Sequence, residues 1–371
     1  MKRFPQLLIL FVLAACHPKP EVIPAENFQT EVDGQAVGLY TLSAGDITVQ
    51  LTNYGARVVS LFAPDRDGRL ADVVTGCNTL EAYSTQPGAR YFGCVIGPVA
   101  NRIGGASFVI DGVTYHTVAN SRGNITSHGG PVGLDRVVWE VTKVSKRAVS
   151  FHYLHKDGQE GFPGNLDITV TYKVTRDNAL QIEYSATTDA ATPVNLSNHT
   201  YFCLNGEGAG TVEDYRMWIK ASHFLAVDET GTPTGEVVPV EGTPFDFREV
   251  HAIGERIGAD DDQIRKGRGY DHNWCFDKEK EGVELVCRVQ DPASGRTLEV
   301  LTDQPGMQFY SGNYLSARMK GKNGQAYGPR CALALETQGW PDAMNHENFP
   351  SILLRPDGVY SHTCIYRFSA E

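Results

Sequence analysis

The sequence predicts an all-β protein, folded as one large antiparallel β-sandwich. Three observations support this prediction. Apolar and polar residues alternate along most of the chain, helix signals are scarce, and no repeated βαβ pattern occurs. After residue 38, no change in composition separates two domains. We therefore expect a single domain over residues 38–371, preceded by a signal segment and a tether.

The predicted strands are six segments with two-residue alternation and many β-branched and aromatic residues. In chain order they are residues 47–64, 108–118, 149–155, 166–188, 283–291 and 362–368. Asp111-Gly112 suits a two-residue type I′ hairpin turn, and Asp177-Asn178 divides two alternating runs in the same way. Residues 79–90 and 249–257 are each expected to form one short helix.

The first 37 residues have the pattern of an export signal followed by a tether. Two basic residues precede an apolar stretch at 7–13, which is too short to span a bilayer, and small residues then lead to Cys16. We interpret residues 1–15 as a lipoprotein signal peptide and residues 16–37 as the lipidated cysteine and a proline-containing tether. An ordinary secretory signal with an incidental cysteine is the alternative.

The lipoprotein interpretation predicts where the protein resides. Acyl chains on Cys16 would anchor it to a membrane of the cell envelope. His17 follows Cys16, where an aspartate would be associated with retention at the inner membrane. We therefore expect lipid anchoring at the outer membrane, on its periplasmic side.

The net charge bears on whether the protein binds nucleic acid, and the cysteine pattern bears on whether the cysteines have a chemical role. The formal net charge is −11 and no run of Lys or Arg occurs, so we predict no nucleic-acid partner. Eight cysteines include Cys16 and leave seven, none in a C-x-x-C pair. Because most of these lie in apolar or alternating runs, we expect them mainly to be packing residues.

Motifs for several common chemistries are missing from the sequence. The glycine-rich segments at 205–210 and 266–271 match neither the dinucleotide fingerprint nor the phosphate loop. Neither an HExxH motif nor a G-x-S-x-G elbow occurs. We therefore predict that the protein uses neither a cofactor nor a metal.

Two polar residues stand out among segments rich in His, Glu, Asp and Arg. Glu336 follows the apolar run "CALAL", where a carboxylate must be partnered or shifted in pKa, as a general base requires. His199 lies among hydrogen-bonding residues that can fix its tautomer, and it titrates near neutrality. The same segments are also suited to binding a sugar, because Arg and Asp side chains can hold vicinal hydroxyls.

An aromatic ring could add to such a sugar site, since Trp340 or Phe309 could stack on a pyranose ring.

Six motifs in order give the chain a resemblance to the aldose 1-epimerase family, over residues 38–369. They are "ANRI", "SHGG" with "GLDRVVWE", "NLSNHTYF", "GYDHN", "PGMQFYSGN" and "LETQ" followed by "PDAMNHENFPS". The resemblance implies a galactose mutarotase-like supersandwich that interconverts the anomers of free aldohexoses such as galactose or glucose. It also implies a monosaccharide partner and no cofactor or metal. Departures at Pro98, Cys203 and Trp340 bear on sugar preference.

The resemblance also assigns roles to residues of this chain. Glu336 would be the general base and His199 the general acid, although His128 could share the acid role. Substrate-binding roles fall to Arg102, His128, Asp271, Asn101 and Gln308.

Two other functions fit the same residues. One is a carbohydrate-binding β-sandwich lipoprotein without turnover. The other is a glycoside hydrolase that uses Glu336 and Asp271 as its carboxylate pair.

Overall fold

The computed structural model describes residues 20–371, so the predictions for residues 1–15 and Cys16 lie outside the described residues. Helices are few: two α-helices, α1 Leu80–Thr85 and α2 Asp262–Gly267. Six 3₁₀-helices occupy Ala25–Phe28, Ala89–Tyr91, Leu134–Arg136, Gln159–Gly161, Ile253–Glu255 and Ala343–Asn345. Within residues 20–371, no helix combines the length and apolarity needed to cross a membrane.

Strands make up most of the regular structure. The first half of the chain forms β1 Thr30–Val32, β2 Gln35–Val37, β3 Leu39–Ala44, β4 Ile47–Thr52, β5 Arg57–Pro64, β6 Leu70–Asp72, β7 Val95–Ile96, β8 Arg102–Gly104, β9 Ser107–Ile110, β10 Val113–His116, β11 Ile125–Ser127, β12 Glu140–Val144, β13 Ala148–His155, β14 Leu166–Val174 and β15 Ala179–Thr188. The second half forms β16 Thr192–Pro193, β17 Ser197–Asn198, β18 Tyr201–Phe202, β19 Arg216–Ile219, β20 His223–Val227, β21 Pro233–Pro239, β22 His251–Ala252, β23 Asp271–Cys275, β24 Glu284–Gln290, β25 Arg296–Thr302, β26 Gly306–Tyr310, β27 Leu333–Gln338, β28 Leu353–Leu354 and β29 Tyr360–Ala370.

Three antiparallel sheets contain nineteen of these strands, and five two-stranded sheets contain the other ten. The largest has nine strands in the order β12-β13-β14-β15-β29-β25-β24-β19-β22. A six-stranded sheet has the order β18-β27-β26-β23-β20-β21, and a four-stranded sheet the order β3-β4-β5-β6. The predicted all-β sandwich is confirmed.

The core lies between the nine-stranded sheet and the two smaller sheets. Phe202 of the six-stranded sheet packs on Tyr366 of β29, with ring centroids 4.8 Å apart, and the Tyr366 hydroxyl donates to the Leu335 carbonyl at 2.7 Å. On the other side, the Tyr172 hydroxyl of β14 donates to the Ala56 carbonyl at 2.6 Å. Leu335 is fully buried, and truncating such a residue to Ala typically costs about 2–5 kcal/mol.

Each predicted strand segment contains strands of the structure, but the turns and helices differ in detail. Asp111 and Gly112 have φ of 51° and 82°, as a type I′ turn requires. The hairpin predicted at Asp177-Asn178 forms between β14 and β15. Its two-residue type I′ turn is wrong, because residues 175–178 join the strands and only Asn178 has positive φ. The predicted helix at 79–90 corresponds to α1, whereas 249–257 forms β22 and a 3₁₀ turn.

The N-terminal segment is more structured than the predicted tether. Residues 25–37 form a 3₁₀ turn and the hairpin of β1 and β2. Phe28 is fully buried, and the Gln50 side chain hydrogen-bonds both the backbone N–H and the carbonyl of Ile23. The packed structure therefore begins before residue 38.

The seven cysteines within residues 20–371 are all buried and unpaired. Burial raises their pKa, to about 12 for Cys94 and Cys364, because the thiolate is poorly solvated in the core. Their environment is the one expected of small packing residues.

Candidate active site

All seven residues predicted to form the site line a single cavity of about 260 Å³. This is close to the lower end of the ~300–1,000 Å³ range of small-molecule sites, which suits one sugar ring. Its remaining walls are Gly88, Tyr201, Tyr310, Tyr314, Leu315 and Met319.

The six-stranded sheet supplies the floor of this cavity through its two-residue alternation. Glu336 of β27 pairs in register with Gln308 of β26. Their neighbours Leu335 and Phe309 are fully buried in the core on the opposite face. On β23, Asp271 lines the cavity while the following residue, His272, is buried among aromatic rings. Each strand therefore places a polar group outward and an apolar anchor inward.

Two left-handed residues bring Arg102 and His128 to the rim. Asn101 and His128 have φ of 64° and 50°, a conformation that Asn and His tolerate better than most residues. The His128 N–H donates to the Asn101 carbonyl at 2.8 Å, and β8 pairs with β11 so that Arg102 lies opposite Ser127. The motifs "ANRI" and "SHGG" are thus joined by backbone hydrogen bonds.

At one end of the cavity, the binding end, hydrogen bonds and one ion pair link four side chains in series: Gln308, Asp271, Arg102 and Asn101. A carboxylate oxygen of Asp271 accepts from the Gln308 amide at 2.8 Å, and the other lies 3.5 Å from the Arg102 guanidinium. Arg102 also donates to the side-chain oxygen of Asn101 at 3.2 Å. These groups hold one another in place and present donors and acceptors suited to adjacent hydroxyls.

The reactive end contains Glu336 and His199, whose side chains are only 2% and 7% exposed. Nε2 of His199 lies 3.5 Å from one carboxylate oxygen of Glu336. The other Glu336 oxygen and Nδ1 of His199 have no hydrogen-bond partner within residues 20–371. A buried polar atom without a partner is costly, so the free Glu336 oxygen is poised to accept a hydrogen bond from a substrate hydroxyl.

Burial shifts the pKa values of Glu336 and His199 in opposite directions and reverses their ordinary order. It raises the pKa of Glu336 well above its ordinary value, and the nearby Asp271 carboxylate adds to the effect. It lowers the pKa of His199 to about 4, while the His199 backbone carbonyl and the charge of Asp271 act in the other direction. Both shifts favour the uncharged form of the pair, in which the proton resides on Glu336 and His199 is neutral.

His128 differs from His199 because its tautomer is set by the backbone. Its Nδ1 accepts the Asn101 N–H at 3.1 Å, so the neutral ring carries its proton on Nε2. Burial and the charges of His199, Arg102 and Arg90 keep the pKa of His128 well below its ordinary value. His128 therefore offers the cavity a neutral N–H donor.

The same tautomer bears on metal binding. Ligand atoms of His128, His199 and Glu336 lie within 4.8 Å of one another, close enough to consider a metal ion. Because Nδ1 of His128 is occupied and Nε2 carries the proton, this ring lacks a free lone pair for a metal. The donor set fits a metal poorly, and the expectation of no metal stays a prediction.

The predicted stacking residues Phe309 and Trp340 lie outside the cavity. Phe309 is fully buried, because two-residue alternation from Gln308 turns it inward. Trp340 packs on Phe349 with ring centroids 5.1 Å apart and donates to the Pro305 carbonyl. The aromatic walls are Tyr201, Tyr310 and Tyr314 instead. Tyr310 could have been found by the same alternation, two residues after Gln308.

Asn195 supports both ends of the site, although sequence reasoning gave it no separate role. Its side chain makes two hydrogen bonds with the backbone of Gly339, just after β27, at 2.8 and 3.1 Å. Its own backbone bonds Pro98 and Ala100, which lead into Asn101. Asn195 therefore ties the strand of Glu336 to the segment of Arg102.

A larger hollow of about 730 Å³ lies between the N-terminal segment and β5, β6 and Lys322. It contains none of the predicted site residues. The Lys322 ammonium group donates to the Val59 and Val74 carbonyls and forms an ion pair with Asp72, so it has no free donor for a ligand. The cluster of buried titratable groups, and not the cavity volume, therefore identifies the smaller cavity as the candidate active site.

Comparisons with known proteins agree with this geometry. Residues 38–367 match the sequence model of the aldose 1-epimerase family. The chain is 43% identical to human galactose mutarotase over 337 residues, which cover 91% of this chain and 95% of that protein. It is 39% identical to Escherichia coli aldose 1-epimerase over 343 residues, covering 91% and 97%.

Solved structures show the same similarity. A GalM/aldose epimerase homologue from C. elegans superposes with a TM-score of 0.83 and 32% identity, covering 90% of this chain and 99% of that one. Galactose 1-epimerase from Lactobacillus acidophilus superposes with a TM-score of 0.80 and 26% identity, covering 92% and 97%.

Proposed function

The chain belongs to the aldose 1-epimerase family, and from that premise we infer that it interconverts the α and β anomers of free aldoses. The protein is accordingly an isomerase. One observation carries the mechanism: the buried pair of Glu336 and His199, 3.5 Å apart, each with an unpartnered polar atom, in a cavity sized for one sugar ring.

The reaction follows from the single proton of this pair. Ionised Glu336 takes the proton of the anomeric hydroxyl while protonated His199 gives its proton to the ring oxygen, and the C1–O5 bond breaks. The open aldehyde then rotates about the C1–C2 bond and presents its other face. Closure with reversed proton flow restores both groups and yields the other anomer.

Ring opening thus moves the pair between its two one-proton forms. Opening starts from the charged form of the pair, with Glu336 ionised and His199 protonated. It ends in the uncharged form, with Glu336 protonated and His199 neutral, which burial favours. The protein takes up no net proton from solvent, and each transfer contributes about 10²–10⁴-fold to the rate. The neutral N–H of His128 donates a hydrogen bond to the ring oxygen, on which charge develops as the C1–O5 bond breaks.

For the substrate we propose a free aldohexose, with galactose and glucose as the first candidates. Arg102, Asp271 and Gln308 would hold its hydroxyls, with Asn101 orienting the Arg102 guanidinium. The sugar would lie against the tyrosines that wall the cavity.

Polarimetry tests the proposal. Freshly dissolved α-D-galactose and α-D-glucose should approach their equilibrium rotation faster with the protein than without it, and dialysis against EDTA should leave the rate unchanged. An aryl glycoside should not be hydrolysed. Sugar binding without acceleration for any aldose would favour a binding module, and release of the aryl group would favour a hydrolase that uses Glu336 and Asp271.

We also propose that the protein is anchored to the cell envelope through Cys16. The support is the sequence pattern of residues 1–16. In a bacterial host, the wild-type chain should incorporate labelled palmitate and sediment with outer membranes. The Cys16→Ser variant should lose the label and leave the membrane fraction. Sedimentation of both variants without label would contradict the anchor.

A further inference from the structure

His199 lacks the hydrogen bond that usually orients a catalytic imidazole. Such rings are ordinarily fixed through the nitrogen that faces away from the substrate, by a carboxylate or a carbonyl. Nδ1 of His199 has no partner within residues 20–371, whereas Nδ1 of His128 accepts the Asn101 N–H. Another contact must therefore hold the His199 ring.

Two tyrosines stack on that ring. The ring of Tyr201 lies 4.8 Å from the His199 ring at an interplanar angle of 20°, and the ring of Tyr91 lies 5.7 Å away at 15°. Tyr91 also contacts His128, at 4.8 Å and a tilt of 56°. Tyr201 lines the cavity but Tyr91 does not, so a role of Tyr91 in binding the sugar directly is not indicated.

The backbone fixes Tyr91 and His199 relative to one another. Tyr91 ends a 3₁₀ turn two residues before Gly93. The His199 N–H donates to the Cys94 carbonyl at 2.8 Å, and the Gly93 N–H donates to the His199 carbonyl at 3.0 Å. The stacked rings are therefore carried by directly bonded segments.

Arg90 holds the Tyr91 ring from another direction. Its guanidinium carbon lies 4.7 Å from the centre of the Tyr91 ring. The same guanidinium makes two hydrogen bonds to the fully buried Asp135 carboxylate, at 2.7 and 3.1 Å, and one to the Gly130 carbonyl at 2.9 Å. Tyr91 is thus confined between Arg90 and the two histidines.

We propose that Tyr91 is a positioning residue for the general acid, whose imidazole is oriented by aromatic stacking in place of a hydrogen bond to Nδ1. Stacking fixes the plane of the ring, so Nε2 stays aimed at Glu336 while Nδ1 is left without a partner. The proposal rests on the proposed function, since it concerns the acid of that reaction.

Several titratable or charged groups besides Tyr91 surround His199, and any pH effect must be judged against all of them. They are Glu336, Asp271, His128 and Tyr201, while Arg102 and Arg90 act on the neighbouring His128. A substitution at Tyr91 leaves these residues in place, but Tyr91→Leu also removes the ring contacts with Arg90 and His128.

Two variants of the full chain test the proposal: Tyr91→Leu removes the ring, and Tyr91→Phe keeps it. We expect Tyr91→Leu to lower kcat about tenfold, with KM for galactose within about twofold of wild type. Tyr91→Phe should retain wild-type kcat. A kcat for Tyr91→Leu within twofold of wild type, or an equal loss in both variants, would overturn the proposal.

A second readout is independent of turnover. Proton-nitrogen NMR should show the His199 imidazole titrating far below its ordinary value in wild type and in Tyr91→Phe, and at higher pH in Tyr91→Leu, where the ring is less buried. A purely structural role would lower the melting temperature without moving this titration, and that result contradicts the proposal. If wild type shows no mutarotation, the proposed function fails, and the NMR comparison still decides how His199 is held.

Discussion

The two ends of the cavity are built on opposite principles. At the binding end, Arg102 and Asp271 have side chains 19% and 17% exposed, and both are engaged by neighbours. At the reactive end, Glu336 and His199 are almost fully buried and each keeps a polar atom unpartnered. The binding groups are therefore held in place before the sugar arrives, whereas Glu336 keeps a carboxylate oxygen free to accept a hydrogen bond from it.

The largest effect is expected from a substitution that removes the proton acceptor at the reactive end and leaves the binding residues unchanged. Glu336→Gln preserves the shape of the side chain but cannot take a proton. It should lower kcat about 10³-fold with KM within about threefold of wild type. Polarimetric rates over a range of galactose concentrations measure both constants. A raised KM with unchanged kcat would place Glu336 at the binding end instead.

The next comparison separates the two histidines. His199→Gln should lower kcat about 10²-fold, because the residue transfers a proton. His128→Gln should raise KM more than it lowers kcat, because His128 is anchored by the Asn101 N–H and acts as a neutral donor. Steady-state kinetics with galactose decide the assignment, and the opposite ranking would make His128 the acid.

A smaller effect is expected at the binding end. Asp271→Asn removes a charged acceptor of hydroxyls and the partner of Arg102, and should raise KM about tenfold with a lesser change in kcat. Asp277→Asn, the same change at an exposed residue outside the cavity, is the matched control. A dominant loss of kcat in Asp271→Asn would instead support the hydrolase-like carboxylate pair.

The smallest effect concerns stability away from the cavity. Burial lowers the pKa of His155, His272 and His362 to about 4. Between the ordinary value of about 6.5 and pH 4, the unfolded chain binds more protons, so the free energy of unfolding should fall as the pH falls through this window. Urea titrations at pH 7 and pH 4.5 measure the change.

His155 offers a control for that pH dependence. Both of its ring nitrogens lack partners within residues 20–371, and the ring packs edge-on against Phe162. His155→Phe should therefore fold and show a shallower loss of stability with falling pH. An unchanged slope would mean that this residue does not contribute to acid sensitivity.

Much of the fold and the reactive pair could be predicted from sequence, because alternation and motif order are local signals. The α2 helix could also have been found, since the Asp261 carboxylate caps the Gln263 and Ile264 N–H groups. Asn195 and Tyr91 could not be assigned roles. Their partners Gly339 and His199 are distant in the chain and meet them only through sheet pairing. The predicted stacking role of Phe309 is wrong because Phe309 follows the cavity-lining Gln308 in β26, and adjacent residues of a strand face opposite sides of the sheet.

The seven buried cysteines affect whether the protein can refold after it has been denatured. While the chain is folded, its thiols are protonated and inaccessible. Thermal unfolding exposes all seven, and in aerated solution they can be oxidised or cross-linked while the chain is unfolded. Denaturation should therefore become a one-way process unless a reductant is present. The working lifetime would then depend on the unfolding rate, and not on the equilibrium free energy.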